Sequence, residues 1–472
     1  MPIKTLHLTS YWHERSGGIA TFYRHLLAAA NRHQCSMVLV VPGAHDEVEQ
    51  VGEYCRIYTL SAPASPFNSD YRTIYPRKFL LPGSRVQQIL AYERPDLVEI
   101  CGKYSLVHLG HLLRLGLAQG LDFRPAVVGL TCERMDENFA AYVTRASWGR
   151  AFSRFYMRHR YFSAFDQHIA ISDNTAAELK AVAEGHLVPR GVWIRPVGVD
   201  IEQFSAGRRS SQFRGQLLRR CGNPQNAILL LYAGRLSPEK NLQLLIATMS
   251  ELARTGKGFR LLVAGEGIAK HALERAAEAQ APGKVVFLGH IESREELARL
   301  YASCDVFVHP NPTEPFGIAP LEAMASGLPL VAPNRGGVLS YATDANAYLA
   351  DPAPAAFAEA IAGACREDEG RLRKTQAARK TAESLAWPEV TGSFLRLYEE
   401  LHRMVIGQES IERYRPEFVS SSAGVMQGKC LRLASQLARM SFLAYVRAHQ
   451  LAASIVGNRN QHRTELKGLQ IQ

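Results

Sequence analysis

The chain lacks the sequence features that mark several classes of protein. No apolar run approaches the roughly 20 residues that a membrane-spanning helix needs, and the N-terminal segment IKTLHLTSYW has the composition of a strand and not of a signal-peptide core. The eight cysteines include no Cys-x-x-Cys pair, so we expect reduced thiols with structural roles. These absences favour a cytoplasmic protein.

Metal-binding patterns are also missing from the sequence. It contains no Asp-x-Asp triplet and no cluster of His, Asp and Cys at metal-ligand spacing, so we expect neither a required metal nor a cofactor. Acidic residues are in short supply, since 44 of them oppose 55 lysines and arginines and leave a net charge of +11. That charge implies an anionic partner: a nucleotide, a nucleic acid or an acidic membrane. Because the basic residues are dispersed and no recognition element is apparent, nucleic acid is the least favoured of these.

Two series of buried strands alternate with helical stretches along the chain. The first begins with the strand IKTLHLTS and the helical stretch GIATFYRHLLAAANR and continues through SMVLVV and DLVEIC to DQHIAIS. The second runs from AILLLYAG through FRLLVAG and KVVFLG to LPLVAP. Such alternation predicts an α/β fold with two Rossmann-like, doubly wound domains, at residues 1–205 and 227–385, joined by a basic linker at 206–226. Ligands of these sheets bind beyond the C-terminal ends of the strands, so two facing domains are expected to share one cleft.

Two carboxylates, Glu314 and Glu322, stand eight positions apart in HPNPTEPFGIAPLEAMASGLPLVAPNRGG. We expect Glu314 on a loop and Glu322 in the first turn of the following helix, where Gly317 allows a ligand to approach the main chain. Carboxylates facing one pocket can bind the hydroxyl groups of a sugar. Considered alone, the pair has a simpler explanation, with Glu322 complementing the helix dipole and Glu314 solvated.

The segment YAGRLSPEKN follows the first strand of the second series. It places Gly234, Arg235 and Lys240 on a loop that opens a helix. Two cations at that position can neutralise a diphosphate, whose charge grows as it leaves during group transfer. An isolated loop Arg and Lys are more often solvated, and the glutamate pair downstream is the reason to prefer the functional interpretation.

Together, EPFGIAPLE, AMASGLPLVA and the downstream Gly-Gly resemble the nucleotide-sugar site of the retaining GT-B glycosyltransferases of family four. The resemblance covers roughly residues 1 to 405. It implies that Glu314 meets the transferred sugar, that Glu322 meets the nucleotide ribose, and that Arg235 and Lys240 bind the diphosphate. The resemblance adds further donor-binding candidates around these residues: Gly17, Gly18, Gly265, Glu266, Leu288, Ile291, Phe316, Gly317 and Ile318.

One departure from the family pattern lies in the N-terminal domain. Many members carry a His at the end of a strand that corresponds to AVVGLT, whereas this chain continues with the sequence TCERMDE. In its place Glu133, which we include among the catalytic candidates, or Asp136 orients the donor sugar or the acceptor hydroxyl. The alternative is a capping Asp beside a solvated Glu-Arg pair.

The C-terminal part of the chain divides into two predicted segments. Residues 386–405 resemble the family's Trp-started crossover helix, and residues 406–472 form a basic helical tail. Within the tail, residues 429–456 have the composition of a basic amphipathic helix that binds an anionic membrane or packs on protein. A second aromatic and basic segment, residues 147–165, either touches lipid headgroups or supports the DQHIAIS strand.

The function expected from these patterns is hexose transfer by a retaining mechanism. The donor is a UDP- or GDP-linked sugar, the acceptor is a hydroxyl of a lipid-linked or glycan substrate, and no metal is needed. We expect the protein in the cytoplasm, peripherally on the inner face of the membrane. The alternatives are a GT-B-shaped epimerase or phosphorylase, although neither the residues of an epimerase site nor a pyridoxal-phosphate lysine are apparent, and a catalytically degenerate binding protein.

Overall fold

A computed structural model describes residues 2–12, 17–64, 72–118, 120–142, 146–183, 191–222 and 227–409. The described residues form two compact units. Unit 1 takes its residues from 1–170, 175–195 and the chain from 391 onward, and unit 2 takes its residues from 171–174 and 196–390. From residue 410 onward, the predicted basic tail lies outside the described residues. The candidate membrane segment 429–456 therefore lies wholly outside them.

Within its described residues, unit 1 is built on one eight-stranded sheet. The strands are β1 (Thr5–Thr9), β2 (Met37–Gly43), β3 (Glu47–Val51), β4 (Cys55–Ser61), β5 (Leu97–Cys101), β6 (Ala126–Thr131), β7 (Gln167–Ala170) and β8 (Val192–Ile194). Their order is β3-β4-β2-β1-β5-β6-β7-β8, and the described pairs are parallel except for β3 with β4. β1, β2, β5, β6 and β7 are buried along their whole length, as expected of parallel strands that helices cover on both faces. The edge strand β3 is mostly exposed, and its charged sequence EVEQV discourages pairing with other chains.

Helices follow most of these strands. They are α1 (Gly18–Arg32), α2 (Arg85–Glu93), α3 (Val107–Arg114), α4 (Met135–Tyr142), α5 (Ser147–Tyr156) and α6 (Asp173–Ala183). A π-helical turn, Met157–Tyr161, continues α5. The predicted helix GIATFYRHLLAAANR coincides with α1, whose apolar residues are buried on one face.

Within its described residues, unit 2 is built on a six-stranded parallel sheet. The strands are β9 (Ile228–Ala233), β10 (Phe259–Ala264), β11 (Val285–Gly289), β12 (Val306–Val308), β13 (Leu330–Pro333) and β14 (Tyr348–Ala350). Their order is β11-β10-β9-β12-β13-β14. The helices are α7 (Ser211–Arg220), α8 (Leu242–Ala253), α9 (Lys270–Gln280), α10 (Arg294–Ser303), α11 (Ile318–Ala325), α12 (Pro354–Ala364) and α13 (Glu369–Ser384).

The segment 206–226, predicted as a linker, contains α7 and lies in unit 2. The side chain of Ser210 accepts a hydrogen bond from the Phe213 main chain at 3.2 Å and caps this helix. Arg214 reaches from it to Asp305, 2.8 Å away. The polar, basic composition that suggested a linker therefore belongs to a helix that packs within unit 2, through Arg214, the buried Leu217 and the ring of Phe213, which lies under the Arg299 guanidinium.

The last described helix is α14 (Trp387–Glu409). Its first residues belong to unit 2, and from Thr391 onward it belongs to unit 1. There Phe394 packs against Phe22 with ring centroids 4.8 Å apart, and the Tyr398 hydroxyl donates to the buried Glu99 carboxylate at 2.5 Å. Among the described residues, no helix combines the length and apolar character needed to cross a membrane.

Candidate active site

The candidate residues of unit 2 gather at one edge of its sheet. β11, β10, β9 and β12 are neighbours in that order, and because they are parallel their C-terminal ends lie along the same edge. The loops that follow these four strands carry most of the unit 2 candidates predicted from the sequence. Of the others, Leu288 lies near the end of β11, and Ile318 and Glu322 lie in α11, which begins after the loop that follows β12. The topology thus brings together loops that are far apart along the chain, as the rule for ligand sites in such sheets requires.

Because of their glycines, the loops that follow β9 and β10 can pack with their main chains in direct contact. Gly234 and Gly265 have φ angles of 152° and 147°, which favour glycine. A Cβ on Gly265 would lie 1.9 Å from the Gly234 carbonyl oxygen, and one on Gly267 would lie 2.3 Å from that of Leu236. The Leu236 amide also donates to the Glu266 carbonyl at 2.9 Å. The turn Gly265-Glu266-Gly267 therefore acts here as a packing surface for the loop that carries Arg235.

Lys240 and Glu314 form the central contact of the site. The Lys240 ammonium donates to Oε1 and Oε2 of Glu314 at 2.9 and 2.8 Å, and the Asn311 amide donates to Oε2 at 2.8 Å. The loop after β9 is tied to the loop after β12 a second time, because Asn241 donates to the Pro310 carbonyl at 3.1 Å. Residues 74 positions apart thus share one charged contact, and Arg235 lies exposed on the same loop as Lys240.

The environment of Glu314 keeps it ionised. Its side chain is only 12% exposed, and this burial on its own raises the pKa. The charge of Lys240, the nearby His309 and the hydrogen bonds from Lys240 and Asn311 outweigh burial and lower the pKa to about 2. An ionised carboxylate can only accept hydrogen bonds, so Glu314 is suited to bind hydroxyl groups.

His309 is a buried, neutral neighbour of this pair. Burial lowers its pKa to about 4, although the Glu314 charge acts in the opposite direction. Its Nε2 atom lies 3.9 Å from Glu314 Oε2 and has no hydrogen-bond partner among the described residues. His309 therefore contributes a polar ring, and no charge, beside the carboxylate at neutral pH.

The downstream Gly-Gly pair supports the Glu314 loop from behind. The Gly337 amide donates to the Glu314 carbonyl at 2.6 Å. A Cβ on Gly337 would lie 1.9 Å from the Pro315 carbonyl oxygen, and one on Gly336 would lie 2.7 Å from that of Pro312. The glycines of this motif are therefore needed for close packing of the loop and do not by themselves form a ligand site.

The helix that carries Glu322 begins earlier than the sequence suggested. α11 starts at Ile318, directly after Gly317, whose φ of 91° places it in the left-handed region. Glu322 is therefore the fifth residue of α11, and the expectation that it lies in the first turn is wrong. Pro320 fits the first turn because the amides there have no partner within the helix. Complementing the helix dipole accounts less well for Glu322 at this position.

Glu322 is instead held by an aromatic hydroxyl. Tyr301 donates to Glu322 Oε2 at 3.0 Å. Burial raises the pKa of Glu322 to about 7, against the opposing effects of the Tyr301 hydrogen bond and the Arg294 charge. Glu314 and Glu322, which the sequence presents as similar, thus differ strongly in their affinity for a proton.

The other unit 2 candidates occupy different environments. Phe316 is buried and packs on Tyr341 with ring centroids 5.0 Å apart, and the Tyr341 hydroxyl donates to the Gly317 carbonyl at 2.5 Å. Glu266 pairs with Lys270 at 2.7 Å. Leu288, in β11, and Ile291, after it, are half-buried.

The candidates Gly17, Gly18 and Glu133 lie in unit 1. Gly17 is exposed and has a φ of 126°, with no atom within 4 Å of the position where a Cβ would be. Gly18 is the first residue of α1. Since there is room for a side chain at Gly17, its main-chain conformation explains the glycine, which is the N-cap residue of α1.

Glu133 is fixed by two side chains from either side of it in the chain. The Tyr11 hydroxyl donates to Oε1 at 2.7 Å, and the Asn138 amide donates to Oε2 at 2.9 Å. Tyr11 follows β1 and Glu133 follows β6, and the two strands flank β5 in the sheet. Asp136 is engaged elsewhere, in two hydrogen bonds from the Arg134 guanidinium at 3.0 and 2.6 Å.

A buried ion pair beneath this loop holds it in place. The Lys103 ammonium, 1% exposed, donates to the Glu133 carbonyl at 2.5 Å and to Glu178 at 2.6 Å. Glu178, in turn, accepts from the main-chain amides of Met135 and Asp136 at 2.8 and 3.1 Å, which satisfies amides at the start of α4. The TCERMDE segment is therefore held firmly in place, and its three carboxylates, Glu133, Asp136 and Glu137, are partly exposed.

Known proteins resemble this chain in sequence and in structure. Residues 216–381 match the family model described as "Glycosyl transferases group 1". A GDP-mannose-dependent alpha-mannosyltransferase of Mycolicibacterium smegmatis is 30% identical over 340 residues, which cover 70% of this chain and 79% of that protein. The chain belongs to the group 1 glycosyltransferases.

Two further similarities accompany this family assignment. A GDP-mannose-dependent alpha-(1-6)-phosphatidylinositol dimannoside mannosyltransferase of Mycobacterium tuberculosis is 29% identical over 395 residues, which cover 83% of this chain and 95% of that protein. The crystal structure of the sucrose-phosphate synthase of Thermosynechococcus elongatus superimposes with a TM-score of 0.67 at 20% identity, over 85% of this chain and all of that one. The predicted GT-B fold and hexosyltransferase class of this enzyme are confirmed.

The candidate site also contains residues that the sequence interpretation missed. His309 and Asn311 precede Glu314 by five and three residues within the same motif, so their position alone could have identified them. Tyr301 and Tyr11 had no local signal, because each meets its carboxylate only through the packing of distant strands and helices. Among the described residues, no group of three or more His, Cys, Asp or Glu side chains is arranged to hold a metal ion.

Proposed function

We propose that the protein is a retaining mannosyltransferase that moves mannose from GDP-mannose to a hydroxyl group of a lipid-linked or saccharide acceptor. The observation that carries the proposal is the Lys240–Glu314 pair beside Arg235, at the C-terminal edge of the unit 2 sheet. It combines cations for a diphosphate with an ionised carboxylate for sugar hydroxyls. The GDP-mannose dependence of the relatives supports the choice of donor.

Lys240 has the donors that this role requires. An ammonium has three N–H groups, and two of them point to Glu314. The third is directed to the donor's diphosphate, together with the Arg235 guanidinium. Positive charge at this point stabilises the leaving diphosphate, whose negative charge increases as its bond to the sugar breaks.

In the proposed reaction, the bond between the sugar C1 atom and the diphosphate oxygen breaks and a bond from C1 to the acceptor oxygen forms on the same face of the sugar. The acceptor's proton passes to the departing diphosphate, so that charge and atoms balance. Glu314 holds the sugar through its hydroxyls, Glu322 binds the ribose diol, and Glu133 orients an acceptor hydroxyl. The protein then contributes position and electrostatic stabilisation.

The proposal includes independence from metal ions, because Lys240 and Arg235 supply the positive charge that a divalent ion supplies elsewhere. It also keeps the expected cytoplasmic location. Glu314 to Gln is the matched test of the site, since it keeps the size of the side chain and removes its charge.

The experiment is to titrate the purified protein with GDP-mannose, GDP-glucose, UDP-glucose and UDP-galactose by calorimetry, then to incubate it with membrane lipid extract and radiolabelled donor, with and without EDTA. We expect GDP-mannose to bind most tightly, labelled α-linked product to form with EDTA present, and Glu314→Gln to abolish transfer. If UDP-sugars bind instead, the donor assignment is wrong. If none of the donors binds, the enzyme has lost its donor site and the proposal fails.

A further inference from the structure

Helix α5 presents an aromatic surface to solvent. Trp148, Phe152 and Phe155 are 59%, 46% and 60% exposed. They are spaced four and three residues apart, so they lie on one face of the helix. Three exposed aromatic side chains on one helix face leave considerable apolar surface uncovered, and such a patch marks an interaction site.

A basic stripe runs beside the aromatic one. Arg150, Arg154 and Arg158 are spaced four residues apart, and Arg150 and Arg154 are exposed. Arg160 extends the positive charge into the π-helical turn that follows. From residue 138 to residue 165 the sequence contains no Asp or Glu, so no carboxylate within this segment neutralises the stripe.

The third face of α5 attaches the helix to unit 1. Gly149, Ser153 and Met157 are buried and spaced four residues apart. Phe152 also contacts Phe139 of α4, with ring centroids 5.4 Å apart, and the Tyr156 hydroxyl donates to the Lys103 carbonyl at 2.8 Å. The helix is thus fixed through its small-residue face, and the aromatic and basic stripes point away from the unit.

We propose that α5 and the π-helical turn, residues 147–161, dock this enzyme onto an anionic lipid bilayer. The aromatic rings insert at the level of the headgroups, where amphipathic side chains are favoured, and the arginines bind lipid phosphates and remain at the water interface by extending their long side chains. Anionic lipid suits the surface because it offers negative charge and an apolar layer side by side. A protein partner or a second copy of this chain would have to supply negative charge and apolar surface side by side, in a shape that is complementary to α5.

The contacts of α5 give this docking a functional consequence. The carbonyl of Lys103 accepts from Tyr156 of α5, while the Lys103 ammonium donates to the Glu133 carbonyl. One residue therefore joins the docking helix to the loop that carries the proposed acceptor-orienting carboxylate. Docking would present the headgroup of a lipid-carried acceptor close to Glu133. This consequence rests on the proposed function, whereas docking itself does not.

The first test is co-sedimentation of the full-length protein with vesicles of phosphatidylcholine and phosphatidylglycerol in equal parts, and with vesicles of phosphatidylcholine alone. We expect binding to the anionic vesicles that weakens with added salt. The variants Trp148→Ser/Phe155→Ser and Arg150→Gln/Arg154→Gln should each bind at least about tenfold more weakly, since each basic residue near an anionic surface contributes about 1 kcal/mol.

Matched controls separate α5 from the rest of the surface. Tyr92→Ser/Leu115→Ser removes two other exposed apolar side chains of unit 1, and Arg32→Gln/Arg77→Gln removes two other exposed arginines. Both controls should bind as the unmodified protein does. If the α5 variants bind as tightly as these controls, another part of the chain provides the attachment and the proposal is wrong.

Quenching by brominated lipid locates the contact directly. We expect the tryptophan fluorescence to fall on binding to anionic vesicles that carry brominated acyl chains, and Trp148→Phe to lose this quenching while it still binds. Quenching that persists in Trp148→Phe would overturn the proposal. So would concentration-dependent dimerisation that the α5 variants abolish, in the absence of vesicle binding. Donor titration is measured in parallel without lipid, so a failure of the proposed donor chemistry is seen independently of a failure to dock.

Discussion

The ammonium of Lys240 bridges both carboxylate oxygens of Glu314, at 2.9 and 2.8 Å. The two residues lie on loops that follow adjacent parallel strands, β9 and β12. Their contact keeps a mostly buried carboxylate ionised, and it holds an ammonium where a diphosphate is expected to bind. Both halves of the contact can be tested by substitution.

Lys240→Met should remove the charge that lowers the pKa of Glu314. We expect transfer to fall by about 10²- to 10³-fold, as when one stabilising group of a transition state is lost. In the unmodified protein, the ionised Glu314 stabilises the fold above pH 4.5, and this contribution is lost as the pH falls towards its pKa of about 2. The variant should therefore lose less stability on acidification than the unmodified protein does, measured by urea unfolding from pH 7 to pH 3. Lys240→Arg, which keeps the charge, is the control, and equal acid sensitivity of Met and Arg variants would contradict the assignment.

Gly337→Ala should displace the Glu314 loop, because the added Cβ would lie 1.9 Å from the Pro315 carbonyl oxygen. We expect a loss of about 1 to 3 kcal/mol in the free energy of unfolding and a larger relative loss of transfer activity. In Gly363→Ala the nearest atoms lie at 3.8 Å and the residue is within α12, so this control should be neutral or stabilising. Similar activity of the two variants would show that the loop tolerates movement.

Glu322→Gln should change how stability depends on pH. Because burial raises the pKa of Glu322 to about 7, the folded protein holds a proton there that the unfolded chain releases near pH 4.5. Stability therefore falls as the pH rises from about 4.5 to 7, by at most about 3 kcal/mol from this group. Urea midpoints at pH 5 and pH 8 should converge in Glu322→Gln. The exposed Glu278→Gln should leave the difference unchanged, and a Glu322 variant that behaves like this control would contradict the raised pKa.

Glu133→Gln should affect the acceptor and not the donor. The residue lies in unit 1, whereas Arg235, Lys240 and Glu314 lie in unit 2. We expect kcat/KM for the acceptor to fall at least about tenfold, with unchanged affinity for the nucleotide measured by calorimetry. The exposed Glu49→Gln serves as the control for charge. If Glu133→Gln lowers the affinity for the nucleotide and leaves kcat/KM for the acceptor unchanged, the assignment of Glu133 to the acceptor is wrong.

Glu178→Gln should destabilise unit 1, because it leaves the ammonium of Lys103 buried without a counter-ion. Breaking one half of such a pair costs about 3 to 5 kcal/mol. The double variant Lys103→Met/Glu178→Gln should lose less than the sum of the two single variants. As a surface comparison, Asp122→Asn breaks the exposed Arg94 pair and should leave the urea midpoint unchanged. If the stability losses of the two single variants add up to that of the double variant, the charges of Lys103 and Glu178 do not stabilise each other.

Much of the fold and of the donor motif follows from local sequence. Alternating buried strands and helical stretches predicted both sheets, and α1 matches its predicted bounds because its apolar spacing, with Gly17 before it, is a local signal. The start of α11 was predicted too late, since Pro320 was not recognised as compatible with a first turn. The segment containing α7 was interpreted as a linker because its composition is polar. Its capping by Ser210, the burial of Leu217 and the ion pair of Arg214 with Asp305 make it part of unit 2.

The sequence by itself determined the fold class, the family and the identities of the carboxylates, cations and glycines of the donor motif, because these depend on residue type and spacing along the chain. The tertiary structure alone decided their protonation. Lys240 and His309 lower the pKa of Glu314, while burial raises that of Glu322. It also decided that Tyr11 holds Glu133, and that α5 exposes aromatic and basic stripes. The charge of a side chain and its burial depend on which distant strands and helices pack together. A local sequence pattern does not contain that information.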